Sequence, residues 1–235
     1  MQLSLLEQQP ATANSSRSLG HRLTMEDLRS YIPEPAIDYI LQWFETNPVR
    51  LRIAPPRSSK FGDYRSPKPG TPATISVNSS LNSYDFLITL VHEMAHDAVL
   101  NVSSADDDTF PFWRKRTHPK PHGHEWKHKY LQLMAPLMTS VVFPAEIQHA
   151  LEGYFRKVSS SAKANQALAI ALKKYDVPDG KEFLQDLPLD AIFYLPGGRA
   201  FRKKEQLRKR FRCQSLNSRR VYLFNPLAAV SRNKT

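Results

Sequence analysis

Apolar residues first fall into a regular pattern after His21. Leu28, Tyr31, Ile37, Ile40, Leu41 and Phe44 recur near helical spacing, and Thr24 followed by Asp27 is a start signal. Pro33 and Pro35 interrupt the stretch, so the pattern predicts two helices ending before Pro48. Val49, Leu51 and Ile53 then alternate with Arg50 and Arg52, which predicts a half-buried strand. Residues 60–66 and 72–82, the latter with Ile75 and Val77 on one face, predict two more. The short links between them favour a small antiparallel sheet. The strongest helical pattern follows over 84–100, through Phe86, Leu87, Leu90, Met94, Ala98 and Val99, with Asn82 or Ser83 placed to cap it. Residues 101–123 are polar and aperiodic and predict a long loop. Helical spacing returns over 124–138 through Trp126, Tyr130, Leu131 and Met134, and again over 144–158 and 162–176. From about Leu189 the segments AIFYL, GRAF, KRFRC and RRVYLF predict short strands, with Gly197-Gly198 as one turn.

Composition narrows the picture. The 235 residues allow one large domain, or one domain with a small appendage. No apolar run is long enough to span a bilayer. The first twenty residues are polar and lack the basic-then-apolar order of a secretory signal, so a cytoplasmic protein with a disordered tail at 1–20 is expected. The single cysteine, Cys213, excludes a disulfide within the chain and a thiolate-rich zinc site. A formal net charge of +11 suits a polyanionic partner. Ten Lys or Arg and one acid, Glu205, lie between Arg199 and Arg220, interleaved with Phe201 and Phe211 and followed by Tyr222 and Phe224. Cations among aromatics suit single-stranded DNA, through phosphate contact and base stacking. Arg199, Arg202, Lys203, Lys204, Arg208, Lys209, Arg210 and Arg212 are therefore candidate DNA contacts. The competing reading makes the aromatics a hairpin core and the charges merely solvated.

The clearest chemistry is His92-Glu93-Met94-Ala95-His96, an HExxH pattern inside the strongest helix. Residues four apart share a helix face, so both imidazoles can hold one Zn²⁺ while Glu93 stands beside the open position as a proton acceptor. The apolar flanks make this a core helix, where two histidines and a glutamate without a ligand would be costly. A catalytic zinc needs a third protein ligand. His118, His122, His124 and His128 are candidates, and spacing does not choose among them. Two of these, His124 and His128, are also spaced for a separate site.

Two segments together, FLITLVHEMAHDAVL and HGHEW, resemble the SprT-like family of zinc metallopeptidases, to which the DNA–protein crosslink protease Spartan belongs. KFGDYR followed by ISVNSSLN resembles the family's approach to its catalytic helix, and the likeness covers roughly 21–155. It implies that the histidine before the glycine, here His122, is the third zinc ligand. A position just before a helix suits that role, with Gly123 permitting a tight approach or an unusual turn and Trp126 anchoring the helix in the core. Asp97 and Glu125 are expected to face water, although either could support an imidazole. Tyr64 and Arg65, near a strand edge, are minor candidates for stabilising an oxyanion. The sequence departs from the family in two places. The segment between the histidine elements, with Asp106-Asp107-Asp108 and Trp113-Arg114-Lys115-Arg116, is longer than in Spartan-type members. It could gate the cleft or be a plain insertion. The tail also lacks the two CxxC pairs of a zinc ribbon, since Leu216 stands where a cysteine would follow Cys213. A ribbon-like β-hairpin unit without metal is expected, held by Phe201, Phe211, Val221, Tyr222 and Phe224.

The expected protein is α+β, with a zincin-like metalloprotease domain at 21–155, a helical connection at 156–188 and a basic β-hairpin unit at 189–235. Its expected activity is hydrolysis of peptide bonds in protein substrates, with one Zn²⁺ on His92, His96 and His122 and Glu93 as base then acid. The alternative is a DNA-binding protein with a structural or weakly active zinc site.

Overall fold

The computed structural model describes residues 17–18, 23–57, 60–105, 120, 122–156 and 162–233, with backbone only at 17–18, 101–105 and 162–165. The chain divides into two units, Met1–Ala164 and Asn165–Thr235.

In the first unit, helix α1 (Met25–Arg29) starts at a full capping box, Thr24 and Asp27 each bonding the other's backbone N–H. Pro33 precedes a 3₁₀ turn, Glu34–Ala36, which leads into α2 (Ile37–Thr46). Leu28, Ile32, Ala36, Ile37 and Ile40 are buried. Asn47 closes α2 by donating from its backbone and side chain to the Trp43 carbonyl.

Four strands follow the order β1-β2-β4-β3: β1 (Arg17–Ser18), β2 (Val49–Ala54), β3 (Gly62–Arg65) and β4 (Ala73–Asn78). Within the tail expected to be disordered, Arg17 and Ser18 thus pair with β2, and residues 1–16 and 19–20 lie outside the described residues. The sheet is mixed, not antiparallel. β3 and β4 form an antiparallel pair with Tyr64 opposite Ile75, whereas β2 and β4 run parallel with Leu51 opposite Ile75 and Ile53 opposite Val77. The chain passes from β2 to the far edge before returning through the centre. β4 therefore receives β3 on one side and β2 on the other. Apolar alternation fixes which face is buried, but it carries no information about strand direction.

Helix α3 (Ser83–Ala105) begins at Asn82, whose Oδ1 accepts from the Tyr84 and Asp85 N–H groups, and it extends past the expected end at residue 100. Phe86, Leu87, Leu90, Val91, Met94 and Ala95 are buried because α3 packs against β3 and β4 and against α4 (His124–Met134). α4 contributes Trp126, Tyr130 and Met134 to this core, and α5 (Ala145–Arg156) contributes Ile147, Ala150 and Leu151. The segments proposed above as a gate, 106–119 and residue 121, lie outside the described residues, as does His118.

α6 (Ala162–Lys173) spans the division between the units. The second unit is a six-stranded antiparallel sheet in the order β5-β10-β6-β7-β8-β9, made of β5 (Lys181–Phe183), β6 (Ile192–Tyr194), β7 (Ala200–Gln206), β8 (Phe211–Ser215), β9 (Val221–Phe224) and β10 (Ala229–Ser231). Its core holds Leu184, Leu187, Phe193, Phe201, Phe211, Cys213 and Val230. The stretch 156–188 is therefore not a purely helical connection, because β5, Leu184 and Leu187 belong to this second core. Nor does Val221 help hold the unit together. It is 57% exposed, since it faces outward on edge strand β9 opposite Gln214. Cys213 is a core thiol, which burial pushes up to about 11. Among the described residues no helix is long and apolar enough to cross a membrane.

Candidate metal centre

His92 and His96 lie one turn apart on α3, and His122 reaches them from just before α4. The Nε2 atom of His122 stands 3.0 Å from that of His92 and 3.2 Å from that of His96. A ring nitrogen carries at most one proton, so His122 Nε2 can donate to only one of these neighbours. A cation between the three satisfies all of them. Tetrahedral zinc with Zn–N near 2.0 Å places its ligand nitrogens about 3.3 Å apart, close to the spacing here. The three residues thus lie close enough to bind one metal ion.

Electrostatics suits a cation. Burial, and then the His96 and His122 imidazoles, hold His92 down at about 3. Burial followed by His122 holds His96 at about 4, and burial lowers His122 as well. Neutral imidazoles, the form that binds metal, are therefore present at neutral pH without deprotonation.

Backbone geometry aims His122. It adopts a left-handed conformation, φ 58°, which is uncommon outside glycine. Gly123, expected to permit a tight approach or an unusual turn, has φ −67° and is the N-cap of α4. It serves through the close approach, because a Cβ there would lie 2.9 Å from the Lys120 carbonyl oxygen. Trp126 does more than anchor α4. Its ring centroid lies 4.5, 5.5 and 4.6 Å from those of His92, His96 and His122, and its Nε1–H donates to the His92 carbonyl at 3.4 Å. One indole thus floors the whole triangle. The sequence clue was the spacing of Trp126, four residues after His122.

Glu93 is 7% exposed and leaves the helix beside strand β3. Burial and then the Asp63 carboxylate raise its carboxyl to about 7, against donation from the Tyr64 backbone N–H and the charges of Lys60 and Arg57. Arg57 was not singled out from sequence. Its Nε and Nη2 are buried without a hydrogen-bond partner among the described residues.

Asp97, expected to face water, is 1% exposed and accepts from the Tyr64 hydroxyl at 2.9 Å. It sits one turn after Glu93, on the side of α3 covered by β3. Tyr64 also stacks on His96, its hydroxyl already engaged, while Arg65 is exposed and donates to Asp63. His124, His128 and Glu125 are exposed, and the histidine cluster formed by the described residues is His92, His96 and His122.

The eight candidate DNA contacts all lie in the second unit. Arg199, Arg208, Lys209 and Arg210 are exposed in turns, and Arg202 is half-buried. Lys204 pairs with Asp190 at 2.6 Å and Arg212 with Glu205. Lys203 is not a phosphate contact. It is 2% exposed, and its ammonium donates to the carbonyls of Leu184, Gln185 and Leu187 at 2.8, 3.1 and 2.5 Å. Strand alternation puts it on the same face as Phe201, toward the core.

His122→Ala is expected to lower affinity for a divalent transition metal by more than the ~10–100-fold that loss of a merely supporting group costs. A competition titration against a chromophoric chelator reads this directly, and unchanged affinity would remove His122 from the ligand set.

No family model, no curated protein and no solved structure matches the chain.

Proposed function

We propose that this chain is a zinc-dependent metalloendopeptidase of the SprT-like kind, with a zincin-like first unit and a second unit related to a zinc ribbon that has lost its metal. The carrying observation is the triangle of three neutral imidazoles with the Glu93 carboxylate on the same helix. Three histidines suit Zn²⁺ and leave one coordination position open. When bound, zinc supplies Lewis acidity, polarising the scissile carbonyl and lowering the pKa of water. Glu93 takes the proton of the attacking water and returns it to the departing amine.

The net charge and the exposed Arg199, Arg208, Lys209 and Arg210 support substrates attached to or near DNA. The test is cleavage of a protein substrate by the zinc-loaded chain, with and without single-stranded DNA. Zinc-dependent cleavage that DNA stimulates is the expected result. Cleavage indifferent to DNA would remove the nucleic-acid part. Stoichiometric zinc binding without cleavage in either condition would favour the second reading, a DNA-binding protein whose zinc is structural.

A further inference from the structure

Strand β3 and helix α3 meet in matched register. Residues two apart on a strand point the same way about 6.6 Å apart, and residues four apart on a helix share a face about 6 Å apart. Gly62 and Tyr64 on β3 therefore face Glu93 and Asp97 on α3. The Tyr64 hydroxyl donates to Asp97 at 2.9 Å, and its backbone N–H donates to the Glu93 carboxylate. Opposite Glu93 the strand has no side chain. A Cβ on Gly62 would lie 2.5 Å from Glu93 Oε1, 2.9 Å from Glu93 Cγ and 2.8 Å from Thr89 Cγ2. Gly62 pairs regularly with Val77, and its φ lies outside the left-handed region. Backbone conformation therefore does not demand glycine here, and the requirement is for space.

We infer that β3 is the positioning element of the site: the missing side chain of Gly62 makes the slot that holds the Glu93 carboxylate, and the Tyr64 N–H and hydroxyl fix the strand against that face of α3. Gly62 and Tyr64 are positioning residues, since they act through Glu93 and Asp97. Two of the three atoms in the way of a Cβ, Glu93 Cγ and Thr89 Cγ2, sit near the helix backbone and have little freedom to yield. The carboxylate at the end of the side chain moves most easily, so any side chain at position 62 expels the base from its slot and leaves the imidazoles alone.

This rests on the reading of Glu93 as general base, and the experiment separates the two ideas. Gly62→Ala is compared with the parent chain in zinc affinity, in kcat and KM for a protein substrate, and by crystal structure. The expected variant binds zinc within about twofold of the parent and keeps KM. Its kcat falls by about 10²-fold, the scale of an ångström-sized misplacement. Its crystal structure shows the Glu93 carboxylate out of the slot. Tyr64→Phe keeps the N–H and the ring and loses only the hydroxyl's bonds, to Asp97 and Ser66, so its kcat falls less. A Gly62→Ala structure with the carboxylate unmoved, or parental kcat in an active enzyme, overturns the inference. If the parent chain cleaves nothing, the proposed activity fails on its own, while the crystal structure still decides where Glu93 goes.

Discussion

On the proposed function, Glu93→Gln is expected to abolish hydrolysis while zinc still binds. The amide has the shape of the carboxylate but cannot accept a proton at neutral pH. The loss expected is therefore that of a general acid–base group, about 10²–10⁴-fold in kcat. His92 and His96 stand on the same helix, and their positions are set by packing against Trp126, not by Glu93. Zinc content should stay stoichiometric. The measurement is kcat at verified metal occupancy, beside a chelated sample of the parent chain. Chelation and Glu93→Gln should each bring activity to background. A Glu93→Gln variant retaining more than about a hundredth of parental kcat would deny Glu93 the proton-transfer role, given the lower bound on such contributions.

The second large effect lies in the other unit. Lys203→Met keeps most of the side-chain length and removes the ammonium. The carbonyls of Gln185 and Leu187 then lose that donor, while the Leu184 carbonyl keeps the bond from the Leu187 N–H. The ammonium also sits 4.0 Å from the centre of the Phe211 ring, a contact that depends on its charge. Each buried acceptor left unsatisfied costs about 1–3 kcal/mol. With two acceptors affected the variant should lose about 2 kcal/mol or more. For a unit of this size that is a fall in melting midpoint of about 8 °C or more. Lys204→Met, which breaks only the exposed pair with Asp190, should change stability by less than about 1 kcal/mol. Thermal unfolding of both variants decides the matter. Equal midpoints would mean that the buried ammonium is not structural. The expected difference assigns Lys203 the work that a ribbon gives to its metal: a cation tying a turn to a sheet.

Much of the first unit was legible before any coordinates. Capping at Thr24 and Asn82, the breaks at Pro33 and Pro48, and the apolar face of α3 all express local rules, in which a residue acts on neighbours three or four positions away. The same is true of His92 and His96, whose common face follows from helical pitch alone. His122 needed more. Its distance along the chain is uninformative, and only the family resemblance chose it from four histidines. In the structure, packing of α4 on α3 and a left-handed backbone at residue 122 bring its Nε2 to the pair.

The sequence by itself determined most helices and strands of the first unit, the shared face of His92 and His96 on α3, and the absence of any disulfide within the chain. Only the tertiary structure decided what lies opposite what. It made the first sheet mixed, because strand direction leaves no mark in an alternating pattern. It buried Asp97 under Tyr64, where composition suggested a solvated acid. It turned Lys203 from a candidate phosphate contact into a core residue, because a run of cations says nothing about which of them faces inward. In each case the deciding partner is remote in sequence: Tyr64 for Asp97, and the Leu184–Leu187 carbonyls for Lys203. Burial and pairing of polar groups depend on such partners, and local periodicity does not encode them.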